Sequence, residues 1–146
     1  MSTDPSYFND SGFSIVVNSS GFSYNNSIKS EYDNIFWENN NYIFLFEGVL
    51  LNKKNLLNQY SKTSYDDLLN TIISKKEEEI IKDFEGEFRG FLFKKNSAEL
   101  FVFTNVTSTQ RVFYTLRQPS LFIDTSLIRL QQRLNNENIV VQPDLD

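Results

Sequence analysis

Phe84-Glu85-Gly86-Glu87-Phe88-Arg89-Gly90-Phe91-Leu92-Phe93, then Lys94-Lys95-Asn96-Ser97-Ala98, then Glu99-Leu100-Phe101-Val102-Phe103-Thr104-Asn105 is the stretch that decides the fold. Two runs rich in Phe, Leu and Val, parted by a short polar segment, are the pattern of two antiparallel strands joined by a hairpin loop. Both runs are apolar at nearly every position instead of alternating. Each strand is therefore expected to be covered on both faces and to lie centrally in a layered fold. A third run, Arg111-Val112-Phe113-Tyr114, follows the turn-like Thr107-Ser108-Thr109-Gln110.

Working outward, Phe13 to Val17 reads as a first strand, with Phe22-Ser23-Tyr24 as its hairpin partner across Asn18-Ser19-Ser20-Gly21. Ile35-Phe36-Trp37 interrupts a polar connection, and Tyr42 to Phe46 is a strand ending at Glu47-Gly48. Asn52 is placed to cap a helix from Lys53 to Tyr60, and Ser64 with Asp67 three residues on reads as a capping box. Leu68, Leu69, Ile72 and Ile73 repeat at helical spacing, and the helix is expected to run on through Lys75-Lys76-Glu77-Glu78-Glu79 towards Phe84. Leu121 to Asp124 is a last core strand, Ser126 caps Leu127 to Leu134, and Ile139-Val140-Val141 is a short closing strand. About eight strands and three helices result. The fold class is α+β. Strands buried on both sides call for two stacked antiparallel sheets with helices outside, a four-layer α-β-β-α sandwich.

Composition narrows the function. The 146 residues include 40% hydrophobic ones, enough for a single core. The domain is expected to span residues 13–142, with a leader at 1–12 and a tail, or the start of a linker to a further domain, at 143–146. Fourteen Phe and seven Tyr against one Trp and one Met suit strands and a Phe-filled interior. A net charge of −5 speaks against nucleic acid as a partner. With no Cys and no His, thiolate metal sites, a cysteine nucleophile and the commonest general base are all excluded. No run approaches the ~20 apolar residues of a membrane span and the start is not a signal peptide, so the expectation is a cytoplasmic protein without membrane partners. The carboxylates Asp66, Asp67, Glu85, Glu87 and Asp124 show no EF-hand spacing, and there is no Gly-rich phosphate loop; neither a metal nor a cofactor is implied.

The central stretch resembles the late signature of the class II, N-terminal-nucleophile glutamine amidotransferase domain found at the front of asparagine synthetases. Phe84-Glu85-Gly86-Glu87-Phe88-Arg89-Gly90-Phe91 resembles that family's Leu-x-Gly-x-Phe-Ala-Phe strand. Phe101 to Asn105 and Val112-Phe113-Tyr114 resemble its later strands, with Asn105 where the family has Asp, Ser108 where it has Gly and Arg111 where it has Pro. Phe13-Ser14-Ile15-Val16 is similar to its first strand with Phe13 in place of the cysteine, and Phe46-Glu47-Gly48 to its Phe-Asn-Gly with Glu47 in place of the oxyanion-hole Asn. Tyr65 stands where the family anchors the glutamine amine with Asp, and no Arg precedes Arg89 to meet the glutamine carboxylate. Taken singly, Phe13 reads as a core strand residue, Glu47 as an exposed turn residue and Tyr65 as a helix-start aromatic on the sheet.

The resemblance thus implies an Ntn-hydrolase-like fold whose catalytic positions Phe13, Glu47, Gly48, Tyr65 and Asn105 are degenerate. It implies a catalytically inactive domain serving an adenylating, amide-forming synthetase domain in cis or in trans. Two other readings stand beside it. One is a free-standing binding module on the same fold; the other is an active hydrolase whose N-terminal serine, Ser2 or Ser14, is exposed by processing.

Overall fold

The structure, a computed structural model, describes residues 11–75, 82–107 and 109–137. Its elements in chain order are β1 (Phe13–Asn18), β2 (Gly21–Asn26), β3 (Ile35–Glu38), β4 (Tyr42–Leu50), α1 (Lys53–Gln59), α2 (Tyr65–Lys75), β5 (Gly86–Lys94), β6 (Glu99–Thr104), β7 (Phe113–Arg117), β8 (Ser120–Asp124) and α3 (Leu127–Asn136). They form two antiparallel four-stranded sheets, ordered β2-β1-β8-β7 and β3-β4-β5-β6. The chain divides into two compact units: Ser30–Arg111 carries the second sheet with α1 and α2, and the two ends of the chain carry the first sheet with α3.

In the Ser30–Arg111 unit the Phe-rich hairpin forms as the sequence requires, with Phe91 opposite Val102 and Phe93 opposite Leu100. β4 and β5 are the interior strands. The side chains of Phe44, Phe46, Phe88 and Leu92 pack with Leu56 of α1 and with Leu68, Leu69, Ile72 and Ile73 of α2. Phe46 stacks on Phe88 at 5.3 Å between ring centroids, and Phe84 meets both rings edge-on. Offset stacks and edge contacts of this kind match the quadrupoles of the rings. By strand alternation Ile43, Leu45 and Phe91 point to the opposite face, and they too are buried.

β6 differs from expectation. It pairs with β5 but ends the sheet, and Leu100, Phe101 and Val102 are only half-buried. Phe101 and Phe103 pack towards the α1/α2 cluster, with Lys94 over the Phe101 ring, while Leu100 and Val102 alternate onto the other face of this edge strand. A strand need not be central to be apolar throughout. β3, read from sequence as part of a connection, is a true edge strand: its apolar residues gain their role only through pairing with β4, Ile35 opposite Phe46 and Trp37 opposite Phe44. β4 does not stop at Phe46 but continues through Glu47 and Gly48 to Leu50, in unbroken register with β5.

The helix signals are met unequally. Ser64 Oγ accepts a hydrogen bond from Asp67 N at 3.1 Å, which is the N-cap half of the expected capping box. Asn52 precedes α1 but makes no cap. Its side chain instead holds the segment before β5, donating to Asp83 O and accepting from Glu85 N. The helix does not extend to Phe84, since Lys82 and Asp83 form a turn ahead of β5; expectations for residues 1–10, for 76–81, for Ser108 and for the strand at 139–141 fall outside the described residues.

In the other unit β1 pairs with β2 on one side and β8 on the other. β7 starts two residues later than its apolar run suggests and extends to Arg117, where a two-residue link leads into β8 with Arg117 opposite Ser120. Ser126 Oγ caps α3 by accepting from Arg129 N. α3 lays Leu130 and Leu134 on Phe122 of β8, with Val16 and Phe113 at the margin. Ile15 and Ile123, on the other face of this sheet, are buried as well.

Candidate functional site

Phe13 opens β1, 1% exposed, in the unit formed by the two chain ends. Its backbone nitrogen donates to Thr125 Oγ1 at 3.1 Å, and its carbonyl accepts from Thr125 N. Thr125 belongs to a wider lock, because Arg129 Nη2 donates to the same hydroxyl and Arg129 also grips Asp124 through Nε and Nη2 at 3.1 and 2.8 Å. Asp124 is almost fully buried, and Ser126 N donates to it as well. A buried carboxylate is tolerated when its charge and lone pairs are answered in this way. Position 13 is therefore a packed strand residue whose amide is engaged in a peptide bond and a hydrogen bond; it offers neither nucleophile nor base.

Glu47 corrects the sequence reading. It is not an exposed turn residue but a strand residue, 6% exposed, directly opposite Arg89. Arg89 Nε donates to Glu47 Oε2 at 2.7 Å, and Arg89 Nη1 donates to the carbonyl of Arg111. The cross-strand register brings the two charges together, and nothing in the local sequence signals it. Gly48 follows with φ of +140°, its N–H bonded to Asn34 Oδ1 at 2.7 Å and its carbonyl accepting from Asp33 N.

Asn105 lies on the far side of β5 from Gly48. Its N–H donates to Phe88 O, and Phe88 is the register partner of Gly48. The Asn105 amide donates to Thr107 and Thr109, which ties down the turn after β6. The sheet thus brings Glu47, Gly48 and Asn105 to one end, with a strand between them. Each polar side chain is engaged with its neighbours.

Tyr65 starts α2 and packs on the α1/α2 cluster, the role its helix-start position suggests. Its hydroxyl is buried and has no hydrogen-bond partner among the described residues. Lys53 lies over its ring and forms an ion pair with Asp33, a buried carboxylate that also accepts from Leu50 N. Sequence reasoning missed Asp33, whose importance arises only from pairing with residues of β4 and α1. Burial, reinforced by the carboxylates of Asp33 and Asp66, pushes the Tyr65 hydroxyl far above the ordinary tyrosine range. Because the folded value is raised, the folded state keeps its full advantage below the unfolded pKa of ~10 and loses it as the pH climbs past that value. In an ultraviolet tyrosinate titration one tyrosine should stay protonated until the protein unfolds in alkali. Ionisation of all seven near ~10 with the fold intact would contradict this environment.

Among the described residues no group of three or more Asp or Glu side chains could hold a metal ion, and no helix is long and apolar enough to cross a membrane. Comparison with protein-family models, with curated proteins and with solved structures found no match for the chain. The functional reading therefore rests on the geometry and on the motif resemblance.

Proposed function

We propose that this chain is a catalytically inactive, glutaminase-like domain of the class II amidotransferase type. In the proposed arrangement the two sheets stack face to face between layers of helices. The two-sided apolar character of β4 and β5, which carry apolar residues on the face away from α1 and α2 as well, supports a stack. Its role is structural: a docking partner for an adenylating, amide-forming synthetase domain, in cis or in trans.

The observation that carries the inactivity is Glu47. At the position implied for the oxyanion donor stands a carboxylate, held in the sheet by Arg89. A negative group there opposes the charge that develops on an attacked carbonyl. Phe13 leaves the site without a nucleophile, and Tyr65 offers a neutral hydroxyl where a carboxylate would meet an ammonium group.

The test is ammonia release from glutamine by the unmodified chain, by a form trimmed to begin at a Phe13→Cys substitution, and by that form carrying Glu47→Asn. The first should show none and the second little, because loss of one oxyanion donor alone costs about 2.7–4 kcal/mol in the barrier. Turnover by the unmodified chain would overturn the reading. Docking is read separately, by co-elution with a synthetase-type adenylating domain; separate elution of the two would remove the partner role while leaving the inactivity untouched.

A further inference from the structure

α3 packs on β8 and β7, and from its last turn Arg133 reaches across to Ser14 of the neighbouring strand β1. Between helix and hairpin lies a cavity of about 440 Å³. That is large enough for a small metabolite-sized ligand. Its walls are built from groups that hydrogen-bond: Ser14 from β1, Asn25 and Asn26 from the end of β2, Ser27 beyond it, and Gln132 and Arg133 from α3.

The charges in this cavity are unequally matched. Asp124 is fully answered by Arg129. Arg133, by contrast, donates from Nη2 to the neutral Ser14 Oγ at 3.1 Å and forms no ion pair among the described residues. Glu137, one helical turn on, is exposed and also lines the cavity, but its carboxylate forms no ion pair with Arg133 among the described residues. A guanidinium presents its donors in a planar fork that matches an oxyanion in two-point geometry, and one such fork faces this cavity with a hydroxyl beside it.

We propose that the cavity between α3 and the β1–β2 hairpin is a binding site for a small polar molecule bearing an oxyanion, carboxylate or phosphate, with Arg133 as its anion receptor. Ser14 is the second donor, and the amides of Asn25, Asn26 and Gln132 supply contacts for the polar remainder. Of the five degenerate positions only Phe13 borders the cavity, and it supplies no polar contact there; the proposal does not rest on the glutaminase-like reading. The acidic net charge of the chain works against anion capture at long range, so the affinity must come from contacts inside the cavity.

The experiment is a backbone-amide NMR titration of the full chain with inorganic phosphate and, separately, with acetate, against sodium chloride at matched ionic strength. Saturable shifts confined to Ser14, residues 25–27 and residues 129–136 are expected with at least one of the two, and the tighter of them shows whether the site favours a tetrahedral or a planar oxyanion. Arg133→Gln should weaken that binding about tenfold or more, since hydrogen bonds to a charged group carry at least that factor. Ser14→Ala should weaken it by only about threefold, as expected for loss of one neutral donor. Arg133→Lys keeps the charge without the fork and should fall between, which also guards against misfolding of the glutamine variant. Shifts that chloride reproduces, shifts outside the cavity, an affinity unchanged by Arg133→Gln, or no shifts at all would overturn the proposal.

Discussion

Gly48→Ala should abolish cooperative folding. The φ of +140° at this position is one that L side chains rarely adopt, and a Cβ built there falls 2.1 Å from Glu87 O and 2.7 Å from Phe88 Cα. Both are backbone atoms of the adjacent interior strand, so no rotamer change can relieve the clash. Relief would require β4 and β5 to separate at the level where Glu47 pairs with Arg89. Backbone strain and a clash in the sheet together should exceed about 4 kcal/mol, a large share of the 5–15 kcal/mol that holds an ordinary domain together. Gly21→Ala separates the two causes. Gly21 also has a positive φ, +120°, but no atom lies within 4 Å of its added Cβ, so only strain of about 1–2 kcal/mol applies. Urea denaturation followed by circular dichroism reads both; equal losses would show that close packing of β4 on β5 is not what Gly48 serves.

The second large effect is Phe91→Ala, with an expected loss of about 3–5 kcal/mol, the range for truncating a buried Phe. Phe91 is 0% exposed on an interior strand, on the face opposite Phe88 and Leu92. Phe101 looks equivalent in sequence, yet its strand ends the sheet and its ring is only partly covered. Phe101→Ala should therefore cost about 1–2 kcal/mol, roughly half of a full Phe burial or a little more. Chemical denaturation of the two variants side by side is decisive. If Phe101→Ala destabilises as much as Phe91→Ala, β6 is covered to a degree that its exposure in this structure does not show.

The candidate site was legible in part. Phe13 could be placed in a strand, and Tyr65 at the start of a helix packing on the sheet, because the first depends on a short apolar run and the second on an adjacent cap. Glu47 was misjudged. A charged residue before a glycine reads as a turn when only neighbours in sequence are weighed, whereas its actual neighbour, Arg89, is 42 residues away. The same holds for Asp33, whose partners Leu50 and Lys53 lie 17 and 20 residues on, and for the Thr125 hydroxyl bonded to Phe13 across 112 residues. Arg133 carried no signal beyond its place in the last turn of an amphipathic helix, where a cation is favoured by the helix dipole.

What the amino-acid sequence determined by itself is whatever rests on interactions within a few residues. The Phe-rich hairpin, the β1–β2 hairpin, the N-cap at Ser64 and the cap at Ser126 all formed where period, turn residues and side-chain oxygens placed them. The tertiary structure alone decided which strands are interior and which are edges. It promoted Ile35–Glu38 to a strand, left β6 at the margin, carried β4 through a glycine and turned Asn52 from a cap into a clamp on the segment before β5. The physical reason is that a strand's partner, and a buried charge's counter-charge, come from distant parts of the chain. Local propensity can nominate such residues, but only the register of the assembled sheet assigns them to each other.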